Sequence, residues 1–104
     1  MTDALLLSDP GFFRHRSPGY HPERPERLEA AHAAVERART VSGYTFAPVA
    51  PRAVTEEELG RVHTPDFVKW FHTLRGEQGY IDADTYVGEE SVAIAELAAG
   101  GTVA

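Results

Sequence analysis

The chain contains no cysteine. That absence excludes a disulfide framework, a cysteine nucleophile and every thiolate metal site. Long hydrophobic runs are also missing, and none approaches the ~20 apolar residues that span a bilayer. The N-terminus, Met1-Thr2-Asp3-Ala4, has no basic n-region, so it shows no signal peptide. A soluble cytoplasmic protein is expected, with no membrane partner. Positive charge is in deficit, with ten Lys and Arg against sixteen Asp and Glu, a formal net of −6. The deficit is local, since residues 1–52 carry a net of +1 and residues 53–104 a net of −7. An acidic half argues against nonspecific nucleic-acid binding, which needs basic patches to displace counterions. Three familiar signatures are absent: G-x-x-x-x-G-K-S/T, G-x-G-x-x-G and G-x-S-x-G.

What remains is a chain of 104 residues, 42% of them hydrophobic, too many for disorder and few enough for one domain at most. Such a chain buries only ~60–70% of its unfolded surface, so its core is modest.

Local patterns predict the following order. Ala4-Leu5-Leu6-Leu7 is a short apolar run stopped by Ser8-Asp9-Pro10-Gly11. It reads as a strand, and its lack of alternation suits a parallel sheet covered on both faces. Residues 8–24 read as a long ordered loop broken by Pro10, Pro18 and Pro22 and weighted by Phe12, Phe13 and Tyr20. A helix starts near Pro25, with Leu28, Ala31, Val35 and Ala38 on its apolar stripe, and ends at Val41-Ser42-Gly43. Residues 44–49 read as a second strand, which Pro48 pushes toward a sheet edge. Thr55 and Glu58 form a capping box, and Thr64-Pro65 starts another helix whose stripe is Phe67, Phe71 and Leu74. Gly76 to Gly88 reads as loop. A last helix, from about Glu89 to the end, is expected to be buried, with Gly100-Gly101 as a possible C-cap before Thr102-Val103-Ala104 resumes an apolar pattern.

Two strands and a buried-type helix do not close an α/β domain. The expectation is therefore the front portion, residues 1–104, of a larger domain. The alternative is a small α+β domain that dimerises to cover its faces.

The five histidines, His15, His21, His32, His63 and His72, include no i,i+4 pair. Asp82-Ala83-Asp84 reads as a solvated loop or part of a divalent-ion site. A metal site from His21, His63, Asp82 and Asp84 is a disfavoured third reading. His32 lies on the apolar stripe and reads as a hydrogen-bonded core residue. Trp70 and Tyr86 read as core or edge aromatics. One segment breaks local rules: His21-Pro22-Glu23-Arg24-Pro25-Glu26-Arg27-Leu28 puts Arg27 in a helix's first turn, against the helix dipole. An i,i+4 Glu23–Arg27 ion pair explains it cheaply. A rigid frame around an arginine also suits a positioned functional group.

Residues 21–28 resemble the H-P-E-x-P-x-R-L/I signature of the histone deacetylase superfamily, which includes acetoin-utilisation proteins and acetylpolyamine amidohydrolases. Three later segments agree in order. Arg61 to Val68 resembles the V-H-S/T-x-x-F/Y-V/L helix, Asp82 to Val87 resembles the D-x-D-T-Y-V loop, and Ala98 to Thr102 resembles the following small-residue helix. The likeness spans about residues 4–104, and its detail looks most like bacterial class II members. It implies the N-terminal part of an arginase/deacetylase-like three-layer α/β fold with a parallel sheet, incomplete in this chain. It implies a zinc-dependent amidohydrolase acting on acetyl-lysine peptides or acetylated polyamines, with no zinc ligand in this chain and no activity of the chain alone. The alternative is a non-catalytic dimerising module derived from the same region. Two roles are implied by position: Arg27 beside an internal cavity, handling acetate, and Asp84 at the substrate rim, where some class II members carry serine. His32 is implied to be structural. An acidic rim attracts cationic substrates.

Overall fold

The computed structural model describes residues 2–17 and 19–103. Met1, Pro18 and Ala104 lie outside them, and with them the readings of Pro18 as a loop breaker and of the chain's last residue as part of a resumed apolar pattern.

Strand β1, Ala4–Leu7, pairs in parallel with β2, Phe46–Val49, in a register that sets Ala4 opposite Phe46 and Leu7 opposite Val49. Parallel neighbours need a crossover, which helix α1, Glu26–Ser42, provides. Pro25 starts α1 without a side-chain cap. Gly43 ends it at φ 73°, a left-handed conformation that favours glycine.

Helix α2, Glu56–Gly60, opens on the expected capping box: Glu58 N donates to Thr55 Oγ1 at 3.1 Å, and Thr55 N donates to the Glu58 carboxylate at 2.9 Å. Helix α3, Pro65–Thr73, starts where Thr64 accepts from Phe67 N at 3.2 Å, with Pro65 in the first turn. Val68 is its buried residue, while Phe71 and Leu74 are half-buried and Phe67 is exposed.

Two loop readings are corrected. Residues 10–14 of the first loop form a 3₁₀ turn, started by Asp9, whose carboxylate accepts from Gly11 N at 2.8 Å. Residues 76–88 hold a hairpin of β3, Gly79–Asp82, and β4, Thr85–Val87, antiparallel with an irregular register between Tyr80 and Asp82. Its apolar and aromatic residues suit strands, but no Asn-Gly or Asp-Gly pair marks the turn.

Helix α4, Ser91–Val103, contains Gly100 and Gly101 within it, so they are not a C-cap. A Cβ at Gly100 would meet the Arg52 carbonyl oxygen and lie 2.6 Å from Val54 N, and one at Gly101 would lie 2.6 Å from Leu7 Cδ1. The pair therefore serves close helix approach. Val54 N donates to Glu96 O at 2.9 Å along the same contact. Only Ser91, Val92, Gly100 and Gly101 of α4 are buried, fewer than its apolar composition leads one to expect.

Successive strand residues face opposite sides. Leu7 meets Gly101 of α4, while Leu6 shares a cleft with His32 and Val35 of α1. The result is helix, parallel sheet, helix: a partial three-layer α/β fold. The expectation of a strand covered on both faces holds only at its C-terminal end, since Leu6 and Leu7 are half-buried and Leu5 is 74% exposed. Two strands leave the rest of both faces uncovered. Among the described residues, no helix is long and apolar enough to cross a membrane.

Candidate functional site

The segment before α1 is held by backbone turns and by the hairpin. Arg27 N donates to Arg24 O at 3.0 Å and Leu28 N to Pro25 O at 2.9 Å, which closes the first helical turn around a buried Pro25. Tyr86, 4% exposed on β4, donates its hydroxyl to Glu23 O at 3.0 Å. His21 Nε2 lies 3.0 Å from Asp84 O, and Glu23 N donates to His21 Nδ1 at 3.0 Å.

Tyr86 is the centre of this arrangement. His15 stacks on its ring at 4.6 Å and His21 meets it edge-on at 5.0 Å. Burial pushes its hydroxyl pKa up, Glu23 adds to the rise, and Arg27 opposes it. His15 Nδ1 lies 2.6 Å from Ser91 Oγ, which accepts from Gly88 N at 2.7 Å. With one lone pair taken by the Gly88 amide, the hydroxyl still offers His15 both its hydrogen and a second lone pair, so the His15 tautomer sets which group donates.

Arg27 lines an open cleft of about 470 Å³ with Glu23, Phe12, His15, Tyr86 and Ser91. The expected Glu23–Arg27 ion pair is absent. Among the described residues, Arg27 has no ion-pair partner within 4.0 Å, whereas Arg24 pairs with Glu26 at 3.9 Å. The bland account of Arg27 therefore fails, and its guanidinium stands at an apolar-walled cleft with its donors uncommitted to a carboxylate.

Asp84 lies in the exposed turn between β3 and β4. Its amide donates to Asp82 Oδ1 at 2.9 Å. That bond, with the Thr85 hydroxyl, holds the Asp82 carboxyl below the usual carboxylate range. Arg27 and Asp84 do not share a cleft. They are connected through the 21–23 segment, which bonds the hairpin from one side and leads into α1 on the other.

His32 is hydrogen-bonded as expected, to Ser8 Oγ at 3.0 Å, with Phe13 edge-on at 5.7 Å, but it is exposed rather than in the core. The uncovered sheet face accounts for the difference. Trp70 is an edge aromatic tilted on Phe67 at 5.6 Å, and Tyr86 is core.

The described residues do not fit a zinc ion: no three of their His, Asp and Glu side chains gather to hold a metal. His63 stacks on Phe67 at 4.6 Å, and His21 meets Asp84 through a backbone carbonyl. The site imagined from His21, His63, Asp82 and Asp84 does not assemble.

Sequence reasoning missed the roles of His15, Ser91 and Tyr86 around the cleft. The only signal for them was the position of Tyr86 in Asp82-Ala83-Asp84-Thr85-Tyr86-Val87.

A family model described as the histone deacetylase domain matches residues 21–104. Histone deacetylase 15 of Arabidopsis thaliana is 40% identical over 81 residues, covering 77% of this chain and 14% of that protein. The crystal structure of the HDA15 HD domain matches 97% of this chain at a TM-score of 0.81 and 32% identity, over 30% of its own length. The chain thus spans under a third of either protein. The family match begins at His21 and runs to the last residue, and the structural match takes in nearly all of the chain: the chain belongs to the histone deacetylase domain family.

Proposed function

We propose that residues 1–104 form the N-terminal part of a single deacetylase-type catalytic domain, of the class II-like kind found in bacteria. The whole protein hydrolyses the acetamide of acetyl-lysine or of acetylated polyamines. Such domains generally use zinc, and this reading assigns its ligands to residues beyond the described ones. Without them the chain alone is inactive.

The observation that carries the proposal is the uncommitted Arg27 guanidinium at its cleft. Acetate, the product of deacetylation, is a carboxylate. A guanidinium binds it through two parallel N–H donors in a fixed plane. Pro25, Glu23 and Tyr86 hold the backbone that aims Arg27, and Phe12, Ile94 and Ala98 supply apolar walls that strengthen the charge interaction. Asp84, exposed on its turn, accepts hydrogen bonds from the substrate backbone. The net −7 of residues 53–104 favours cationic substrates.

The test is Arg27→Ala in the full-length protein, assayed on an acetyl-lysine peptide. A lost charge-assisted bond corresponds to about a ten- to hundredfold fall in turnover. The thermal midpoint should move little, since Arg27 is exposed, and inhibition by added acetate should weaken. Unchanged turnover, or turnover that falls only as far as the folded fraction does, overturns the assignment.

A further inference from the structure

His21 is a half-buried ring with both nitrogens engaged. The Glu23 amide can only donate, so Nδ1 is the acceptor. The proton of the neutral ring then sits on Nε2, where it faces the Asp84 carbonyl, which can only accept. The two bonds differ in kind. The first is local, from residue i+2, and shapes the turn at Pro22. The second reaches 63 residues along the chain and ends on the residue whose carboxylate stands at the exposed turn. Tyr86 to Glu23 spans the same 63 residues beside it. Tyr86 to Glu23, and Ser17 Oγ to the Tyr80 hydroxyl at 3.2 Å, tie the strands of the hairpin rather than its turn, and the bond from Asp84 N to Asp82 is internal to the turn.

We propose that His21 is a positioning residue for Asp84, holding the β3–β4 turn in place through its neutral, Nε2-protonated ring. The proposal rests on the reading of Asp84 as a substrate-rim group. His21 does not touch the substrate. It sets where the Asp84 carboxylate stands relative to the cleft that Arg27 lines.

The two amide replacements separate the two bonds. Asparagine places an acceptor near Nδ1 and keeps the local turn. Glutamine places an N–H donor near Nε2 and keeps the reach to Asp84. In the full-length protein, His21→Asn and His21→Ala should raise KM for an acetyl-lysine peptide about three- to tenfold, as expected for one lost hydrogen bond, with kcat nearly unchanged. Amide hydrogen exchange at residues 83–85 should speed up by a similar factor. His21→Gln should restore both. If His21→Asn behaves as wild type, the local turn alone suffices and the proposal fails. It fails also if neither variant speeds exchange. Faster exchange with unchanged KM leaves the positioning intact and refutes the rim role of Asp84 instead. Where the variants do not fold, nitrogen-15 spectra of the wild-type imidazoles decide: a ring protonated on Nδ1 at neutral pH overturns the proposal.

Discussion

Arg52 and Glu58 show how much a single side chain settles here. Two bonds join them, at 2.8 and 2.7 Å, and Glu58 also accepts from Thr55 N. The Arg52 guanidinium, then the Thr55 amide, hold the Glu58 carboxyl down at about 2, against an ordinary 4.5. A depressed carboxyl pKa stabilises the fold above the unfolded value, and that stability drains away as pH falls through the folded one. The window therefore runs from about 4.5 down to about 2. In Glu58→Gln, the urea midpoint at neutral pH should fall, and its decline between those two pH values should become shallower. An unchanged pH profile would mean that the pair adds nothing. This pair was half legible in the sequence, as a capping box, but Arg52 was not. Six residues separate them, and no local rule joins residues at that distance across a break in regular structure. Arg27 was legible for the opposite reason: it violates the helix dipole, and the structure removes the ion pair that would have excused it.

At the scale of elements, caps read well because they are local. Thr55, Thr64, Pro65 and Gly43 each work within five residues of where they stand. The hairpin and the paired glycines did not, because tertiary neighbours determine them. Gly100 packs on the backbone of Arg52, Ala53 and Val54, which cannot move aside, whereas Gly101 packs on the Leu7 side chain, which can. The two positions should respond differently. Gly100→Ala should destabilise by about 3 kcal/mol or more, as overpacking against backbone does. Gly101→Ala should cost about 1 kcal/mol, since Leu7 can change rotamer and alanine gains in helix propensity. Denaturant melts of the two variants check the order, and equal costs would show that the helix shifts as a body.

The whole molecule is a slab, 45 × 34 × 18 Å, with a radius of gyration of 15.8 Å. A compact chain of this length has a radius near ~13 Å. Its accessible surface is 7204 Å², where a globular chain of its mass exposes about 5,800 Å². The excess is apolar in part: Leu5, Val41, Val62, Tyr44 and Phe67 are all exposed. The α/β class and the parallel pairing were readable from the run of leucines, the crossover helix and the second strand. How bare the faces stay was not, since burial depends on what packs against them. A chain of residues 1–104 made alone should bind the hydrophobic dye anilinonaphthalene sulfonate strongly and self-associate in light scattering. A compact monomer that leaves the dye dark would contradict this picture of uncovered faces.

The twin bonds from His21 and Glu23 to the hairpin also set an order of events during synthesis. Each waits for a partner 63 residues downstream. At ribosomal speed, ~5–20 residues per second, that is a delay of roughly 3 to 13 s. Through that interval the arginine-bearing motif is already made but has nothing to lock onto. Its geometry is therefore a late product of folding, although its residues are among the first to emerge.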